Sequence, residues 1–129
     1  MILDGAHNPA GARALAASLR AYFPGRPVTF VIGILADKDA AGILGALSPL
    51  AAGVVLTASG NPRAAAPASL RALLPADLRV EVASSPSEAL ARATDEAAGG
   101  LVCVAGSLSL IGDVLAAAGD EQDLSLIHI

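Results

Sequence analysis

The run Asp4-Gly5-Ala6-His7-Asn8-Pro9 follows a short apolar stretch and sets a carboxylate, a tight-turn residue and an imidazole just ahead of a helix start. Asn is a good N-cap and Pro is favoured at the first helical position. A helix N-terminus presents free N–H groups and a partial positive charge, which suits an anion. A carboxylate at a strand end can accept hydrogen bonds from two ribose hydroxyls. Taken alone, the same residues also fit a turn Asp and a surface His. Three more groups stand at comparable junctions. Lys38, between Asp37 and Asp39, is placed to meet a carboxylate or phosphate, or to sit in a solvated turn. Arg63, in Asn61-Pro62-Arg63, can grip an anion bidentately or remain in solvent. Ser107, after Ala105-Gly106, can cap a helix or donate to a carboxylate.

Several other chemistries are excluded. There is no G-x-x-x-x-G-K-[ST] phosphate loop and no G-x-G-x-x-G fingerprint. Ser109 is flanked by Ser107 and Ile111, where a nucleophile elbow needs Gly. A Ser-His-Asp triad would have only His7 to draw on. One Cys and two His argue against structural zinc and rule out a disulfide framework within the chain. Cys103, in Leu-Val-Cys-Val-Ala, reads as a small buried hydrophobe.

These junctions need elements to position them. The chain has 129 residues, the size of one domain. It is 54% hydrophobic and 16% charged, which excludes a disordered chain. Aromatics are only 2%, so Ala, Leu, Val and Ile must build the core and no stacking platform for single-stranded nucleic acid exists. A net charge of −4 argues against a duplex nucleic-acid partner. Apolar, strand-like runs are expected at residues 1–3, 28–35, 54–57, 79–82 and 101–105. Helical segments are expected between and after them, at about 9–23, 40–50, 67–74, 86–98 and 109–118. Leu15, Leu19, Tyr22 and Phe23 share helical spacing in the first. Ser85-Pro86 with Glu88 has the form of a capping box at the start of the fourth. The alternation predicts an α/β, Rossmann-like three-layer domain with a mainly parallel sheet and helices on both faces. Strand order is not readable from it.

The uncharged stretch Ala40–Pro62 is too broken by Gly and Pro to cross a membrane. No targeting segment is visible, and a cytoplasmic location is expected. Residues 1–119 are assigned to the domain. Residues 120–129, ending Leu-Ser-Leu-Ile-His-Ile, have no evident partner element and are expected to be a non-native or disordered tail.

Taken together, four junctions resemble one family. Ile2-Leu3-Asp4-Gly5-Ala6-His7-Asn8-Pro9 resembles the C-terminal-domain signature of folylpolyglutamate and dihydrofolate synthases, members of the Mur ligase superfamily. Gly33-Ile34-Leu35-Ala36-Asp37-Lys38-Asp39 is similar to the second block of that domain, and Asn61-Pro62-Arg63-Ala64 to the third. Ala105-Gly106-Ser107-Leu108 with Gly112-Asp113-Val114-Leu115 is similar to the fourth. The order and spacing fit, and the resemblance covers about residues 1–118. The first and third blocks favour the folate branch over the peptidoglycan branch, whose first block usually has Tyr after the Asp.

The resemblance implies an ATP-dependent amide ligase. ATP phosphorylates the terminal carboxylate of a folate or dihydropteroate, and the amine of L-glutamate attacks the acyl phosphate. It implies that Asp4 and His7 contact ATP, and that His7, Lys38 and Ser107 help seat glutamate. Arg63 is carried over as a structural or interdomain residue. The family's phosphate loop, magnesium (Mg2+) ligands, modified lysine and folate pocket lie in an N-terminal ATPase region that these 129 residues do not include. The Arg that precedes the first block in the family is also missing, and Ser109 stands where many members carry a bulkier residue. No catalytic residue is therefore assigned within the chain, and the chain alone is expected to be inactive. Two other readings are kept: the corresponding domain of a peptidoglycan-precursor ligase, and a stand-alone α/β module that binds a nucleotide or anion.

Overall fold

All five residues of Val28-Thr29-Phe30-Val31-Ile32 are buried. A strand that is apolar on both faces needs cover on both, which is the condition of a parallel sheet between helix layers. The computed structural model describes residues 1–118, 127 and 128. Its elements run β1 (Ile2–Leu3), α1 (Pro9–Tyr22), β2 (Val28–Ile32), α2 (Ala40–Leu47), β3 (Ala51–Leu56), α3 (Pro67–Arg71), β4 (Val80–Val82), α4 (Pro86–Ala97), β5 (Leu101–Ala105), α5 (Leu108–Ala118) and β6 (Ile127–His128). A 3-10 turn, Ser48–Leu50, leads α2 into β3. The strands lie in the order β4-β3-β2-β5-β1-β6, each parallel to its neighbours.

Two cores follow from the alternation of side chains along each strand. Phe30, Ile32, Val54, Leu56 and Cys103 face Leu15, Leu19, Ile43, Leu44 and Leu70 of α1, α2 and α3. Val31, Val55, Val102 and Val104 face Ala89 and Ala93 of α4 and Leu110, Ile111 and Val114 of α5. Paired alanines let α4 lie close on the sheet without aromatic filling. In α1, Ala12, Leu15, Ala16 and Leu19 form the buried stripe. Asn8 Oδ1 caps this helix by accepting from the Gly11 N–H at 2.7 Å.

Helices α1, α2 and α3 cover one face, and α4 and α5 the other. Strands β2 and β5 are neighbours, yet the chain leaves them toward opposite faces. Such a switch point opens a crevice beyond the carboxyl ends of the strands. Here the two backbones nearly touch. Gly106 has φ +114°, and a Cβ on it would lie 2.4 Å from the Gly33 carbonyl oxygen. Its N–H donates to the Ala6 carbonyl at 3.0 Å, binding the β5 exit to the β1 exit.

Several expectations differ from the structure, and β3 begins at Ala51 rather than residue 54. β2 stops at Ile32 rather than residue 35, because the chain turns at Gly33 and Leu35 instead forms an antiparallel bridge with Ala64. Tyr22 is 74% exposed, since it lies past the buried stripe, and Phe23 beyond it packs on the core. The third helix ends at Arg71 and continues as tighter turns, with Leu73 N–H bonded to Leu70 O and Leu74 N–H to Arg71 O. The chain end also departs in part from expectation. Ile127 and His128 do have a partner element, pairing with Ile2 and Leu3. The remainder of the expected tail, residues 120–126 and 129, and the boundary at Gly119 lie outside the described residues.

The glycine pair makes a stability prediction. Gly106→Ala should destabilise the chain by about 3 kcal/mol, combining a strained φ with a backbone clash. Gly45→Ala should instead stabilise it by roughly 0.5–1 kcal/mol, because Gly45 is an exposed helical residue with open space around its Cβ position. Chemical denaturation of both variants checks the opposite signs.

Candidate functional site

The chemistry-bearing residues lie on the four junctions that follow β1, β2, β3 and β5. Asp4 is half-buried at the end of β1. Its N–H donates to Val104 O on β5, and its Oδ1 accepts from the Ala6 N–H at 2.8 Å. Burial pushes its carboxyl above the ordinary value, and the Ala6 hydrogen bond opposes that shift. The carboxylate is thus partly desolvated and held to one side of a tight turn. A Cβ on Gly5 would lie 2.4 Å from Leu108 Cδ2, so a larger residue there needs the exposed Leu108 side chain to move.

His7 is exposed, with Nδ1 2.9 Å from the Gly5 carbonyl. A carbonyl only accepts, so this contact assigns the proton to Nδ1 and leaves Nε2 for an outside partner. Nε2 then accepts from a hydroxyl or amine, or donates to an anion when the ring is protonated.

Lys38 sits in a turn closed by its own N–H to Leu35 O and by Ala40 N–H to Lys38 O. Its side chain is half-buried, and among the described residues no ion pair or side-chain hydrogen bond engages it. Asp39 caps α2 through Gly42 N–H at 2.9 Å. A Cβ on Gly42 would lie 2.6 Å from Pro9 Cγ, which puts the starts of α1 and α2 side by side.

Arg63 pairs with Asp37 at 3.3 Å, and both are exposed, so the pair adds little stability. The backbone does more here. Ala36 N–H donates to Arg63 O at 2.7 Å and Ala65 N–H to Ile34 O at 2.8 Å, stapling the β2 and β3 exits together. Thr57, at the end of β3, is fully buried, and its hydroxyl has no partner among the described residues.

Ser107 is 2% exposed, and its Oγ accepts from Leu110 N–H at 3.1 Å, the geometry of a cap on α5. Ser59, Ser109 and Asp113, which the sequence did not single out as site residues, join the β3 and β5 exits. Ser109 Oγ lies 2.9 Å from Ser59 Oγ and 3.2 Å from Ser107 Oγ, and Gly60 N–H donates to Asp113 Oδ2 at 2.8 Å. The Ser59–Ser109 contact spans fifty residues and depends on strand order, so no local signal could have found it.

The structure therefore ties Asp4 and His7 to the Ser107 junction, Lys38 to the Arg63 junction, and these pairs to each other through Pro9–Gly42 and the serines. Among the described residues no group of three or more His, Cys, Asp or Glu could hold a metal ion. Cys103 is fully buried and its thiol is pushed up to about 12, chiefly by burial, so it has no thiolate chemistry to offer at neutral pH. No helix among the described residues is long and apolar enough to cross a membrane.

A parallel sheet between two helix layers, with polar junctions gathered at its switch point, defines a three-layer α/β domain. The chain belongs to the Mur ligase family, glutamate ligase domain, whose pattern it matches over residues 1–108. It is 36% identical over 115 residues to the folylpolyglutamate synthase of Lacticaseibacillus casei, which covers 88% of this chain and 26% of that protein. It is also similar to the Mycobacterium tuberculosis folylpolyglutamate synthase solved with ADP and AMPPCP, at a TM-score of 0.79 and 36% identity over 87% of this chain and 28% of that one. The bifunctional folylpolyglutamate synthase/dihydrofolate synthase from Yersinia pestis, solved with AMPPNP and Mn ion, aligns with a TM-score of 0.80 and 31% identity over 91% of this chain and 28% of that one. The chain thus spans about a quarter of the length of these relatives.

Asp4 gives a test that separates stability from binding. Asp4→Asn keeps an oxygen for the Ala6 N–H and removes a desolvated charge. The chain should be more stable than wild type at pH 7. Because the folded-state pKa is raised, the difference should begin to shrink as pH falls through that value and vanish below the ordinary carboxyl value of 3.8, where the unfolded chain is protonated too. Thermal unfolding across pH 7 to 3 measures it.

Proposed function

We propose that this chain works as the C-terminal domain of an ATP-dependent amide ligase that adds L-glutamate to a folate or dihydropteroate through an acyl phosphate. The observation that carries the proposal is the family match over residues 1–108 together with relatives that are folylpolyglutamate synthases. The geometry supports it. Asp4 offers a carboxylate acceptor suited to ribose hydroxyls. His7 turns Nε2 outward between that position and the amino-acid site. Lys38 brings an uncommitted ammonium toward a carboxylate, and Ser107 brings a hydroxyl at the start of α5. Arg63, paired with Asp37, serves to hold the loop. Cytoplasmic work fits the same reading.

The chemistry asked of these residues is positioning. Attack of an amine on an acyl phosphate is accelerated when both are held in contact geometry. Phosphoryl transfer from ATP needs phosphate charge to be neutralised. On this reading that neutralisation, with the Mg2+ that assists it, belongs to an N-terminal ATPase region of a longer ligase. The chain by itself should therefore show no glutamate-dependent ATP turnover.

The test joins this domain to the coding region upstream of it and assays ATP- and glutamate-dependent ligation to folate and dihydropteroate acceptors. Ligation is expected, and Asp4→Ala should lower kcat/KM at least tenfold, with a raised KM for ATP. Ligation to no folate or pteroate acceptor would sink the folate assignment. Ligation with an unimpaired Asp4→Ala variant would leave Asp4 as a turn residue only. Turnover by the 129-residue chain alone would overturn the division of labour.

A further inference from the structure

Three hydroxyls lie end to end beneath the β3 and β5 exits. Ser107 Oγ is 3.2 Å from Ser109 Oγ, which is 2.9 Å from Ser59 Oγ. Ser107 and Ser59 are buried and Ser109 is half-buried. The backbone also fixes both ends, since Leu110 N–H donates to Ser107 Oγ and Asn61 N–H to Ser59 Oγ. Each hydroxyl has one proton and two acceptor lone pairs. Two oxygen–oxygen links use two of the three protons, so one proton is left for a group outside the chain. If it leaves from Ser107, Ser59 donates to Ser109 and Ser109 donates to Ser107. If it leaves from Ser59, both bonds reverse; if it leaves from Ser109, Ser107 and Ser59 both donate to Ser109.

An anion beside Ser107 selects the first arrangement, because it needs a donor there, and aligned hydroxyls polarise one another in a low-dielectric site. We infer that Ser109 and Ser59 are positioning residues that turn the Ser107 proton toward a carboxylate of the incoming amino acid. This rests on the glutamate seat proposed above. The helix geometry favours it. Ser109 and Asp113 are four residues apart on α5 and so share a face. Ser109 reaches Ser59 while Asp113 holds Gly60 N–H. The Asp113 contact keeps the loop docked when the Ser109 hydroxyl is removed, and Ala is a better helix former than Ser. The variant should therefore fold and lose only the hydrogen bonds.

The experiment uses the full-length ligase that carries this domain, with separate titrations of glutamate and ATP. Ser109→Ala should raise KM for glutamate about three- to tenfold, the worth of a lost hydrogen bond, and leave kcat and the KM for ATP within about twofold. Ser109→Thr keeps a hydroxyl and should restore the glutamate KM. Ser59→Ala should have a smaller effect of the same kind. The double variant Ser59→Ala/Ser109→Ala should be no worse than Ser109→Ala, because Ser59 acts only through Ser109. With an active wild type, an unchanged glutamate KM in Ser109→Ala, a matching rise in the ATP KM, or additive effects in the double variant would each overturn the inference. Should Ser109→Ala fail to fold, Ser59→Ala decides by the same readout. A wild-type enzyme inert toward glutamate overturns the seat itself, and the inference with it.

Discussion

The backbones of Gly33 and Gly106 approach so closely that no side chain fits between the exits of β2 and β5. That contact is the constraint on which the functional edge depends. Parallel strands all point their carboxyl ends the same way, so every junction here opens toward one side of the sheet. Where neighbouring strands send the chain to opposite faces, a crevice forms. A narrow floor for it requires the two departing backbones to start from contact. Gly106 can do so only with its positive φ, and in that conformation its N–H reaches Ala6 O. The turn that carries Asp4 and His7 is thus held by the same residue that admits the Ser107 junction.

Much of this was legible from local chemistry. Asn8-Pro9 and Ser85-Pro86 mark helix starts because their side chains and fixed φ satisfy the first turn, and both do so. The capping box differs in one detail. Glu88 N–H donates to Ser85 Oγ as expected, but the Glu88 carboxylate accepts from Ser84, one residue earlier, and the Ser84 contacts draw its pKa down. The strand-to-helix junctions were legible for the same reason, since Gly, Asp, Asn and Ser accumulate where backbone groups need side-chain partners. Strand order was not. Placing β5 between β1 and β2 pairs Ile2 with Cys103 and Val28 with Leu101, and periodicity within a segment holds no information about which distant neighbour it takes. Every contact that depends on that order was hidden with it, the Ser59–Ser109 and Gly60–Asp113 contacts among them.

The functional edge has little net charge to work with. Arg63 is matched by Asp37, Asp39 is occupied as a cap, and Asp113 holds a backbone N–H. What remains is one partly desolvated carboxylate, one outward imidazole nitrogen, one uncommitted ammonium and a short run of hydroxyls. In the function proposed above, such a set would orient a triphosphate rather than neutralise it. Directed hydrogen bonds fixed in place before a ligand arrives need no reorganisation when it does, which is why neutral donors in a dry site act more strongly than their charge suggests. The desolvation of Asp4 is the cost of this arrangement. A carboxylate left fully in water would be easier to fold around, yet its hydrogen bonds to a ligand would compete with solvent at every step. The proposed role of the serines draws on their burial in the same way. A hydroxyl open to water satisfies itself in any direction, whereas Ser107, held between Leu110 N–H and Ser109, has few directions left in which to send its proton.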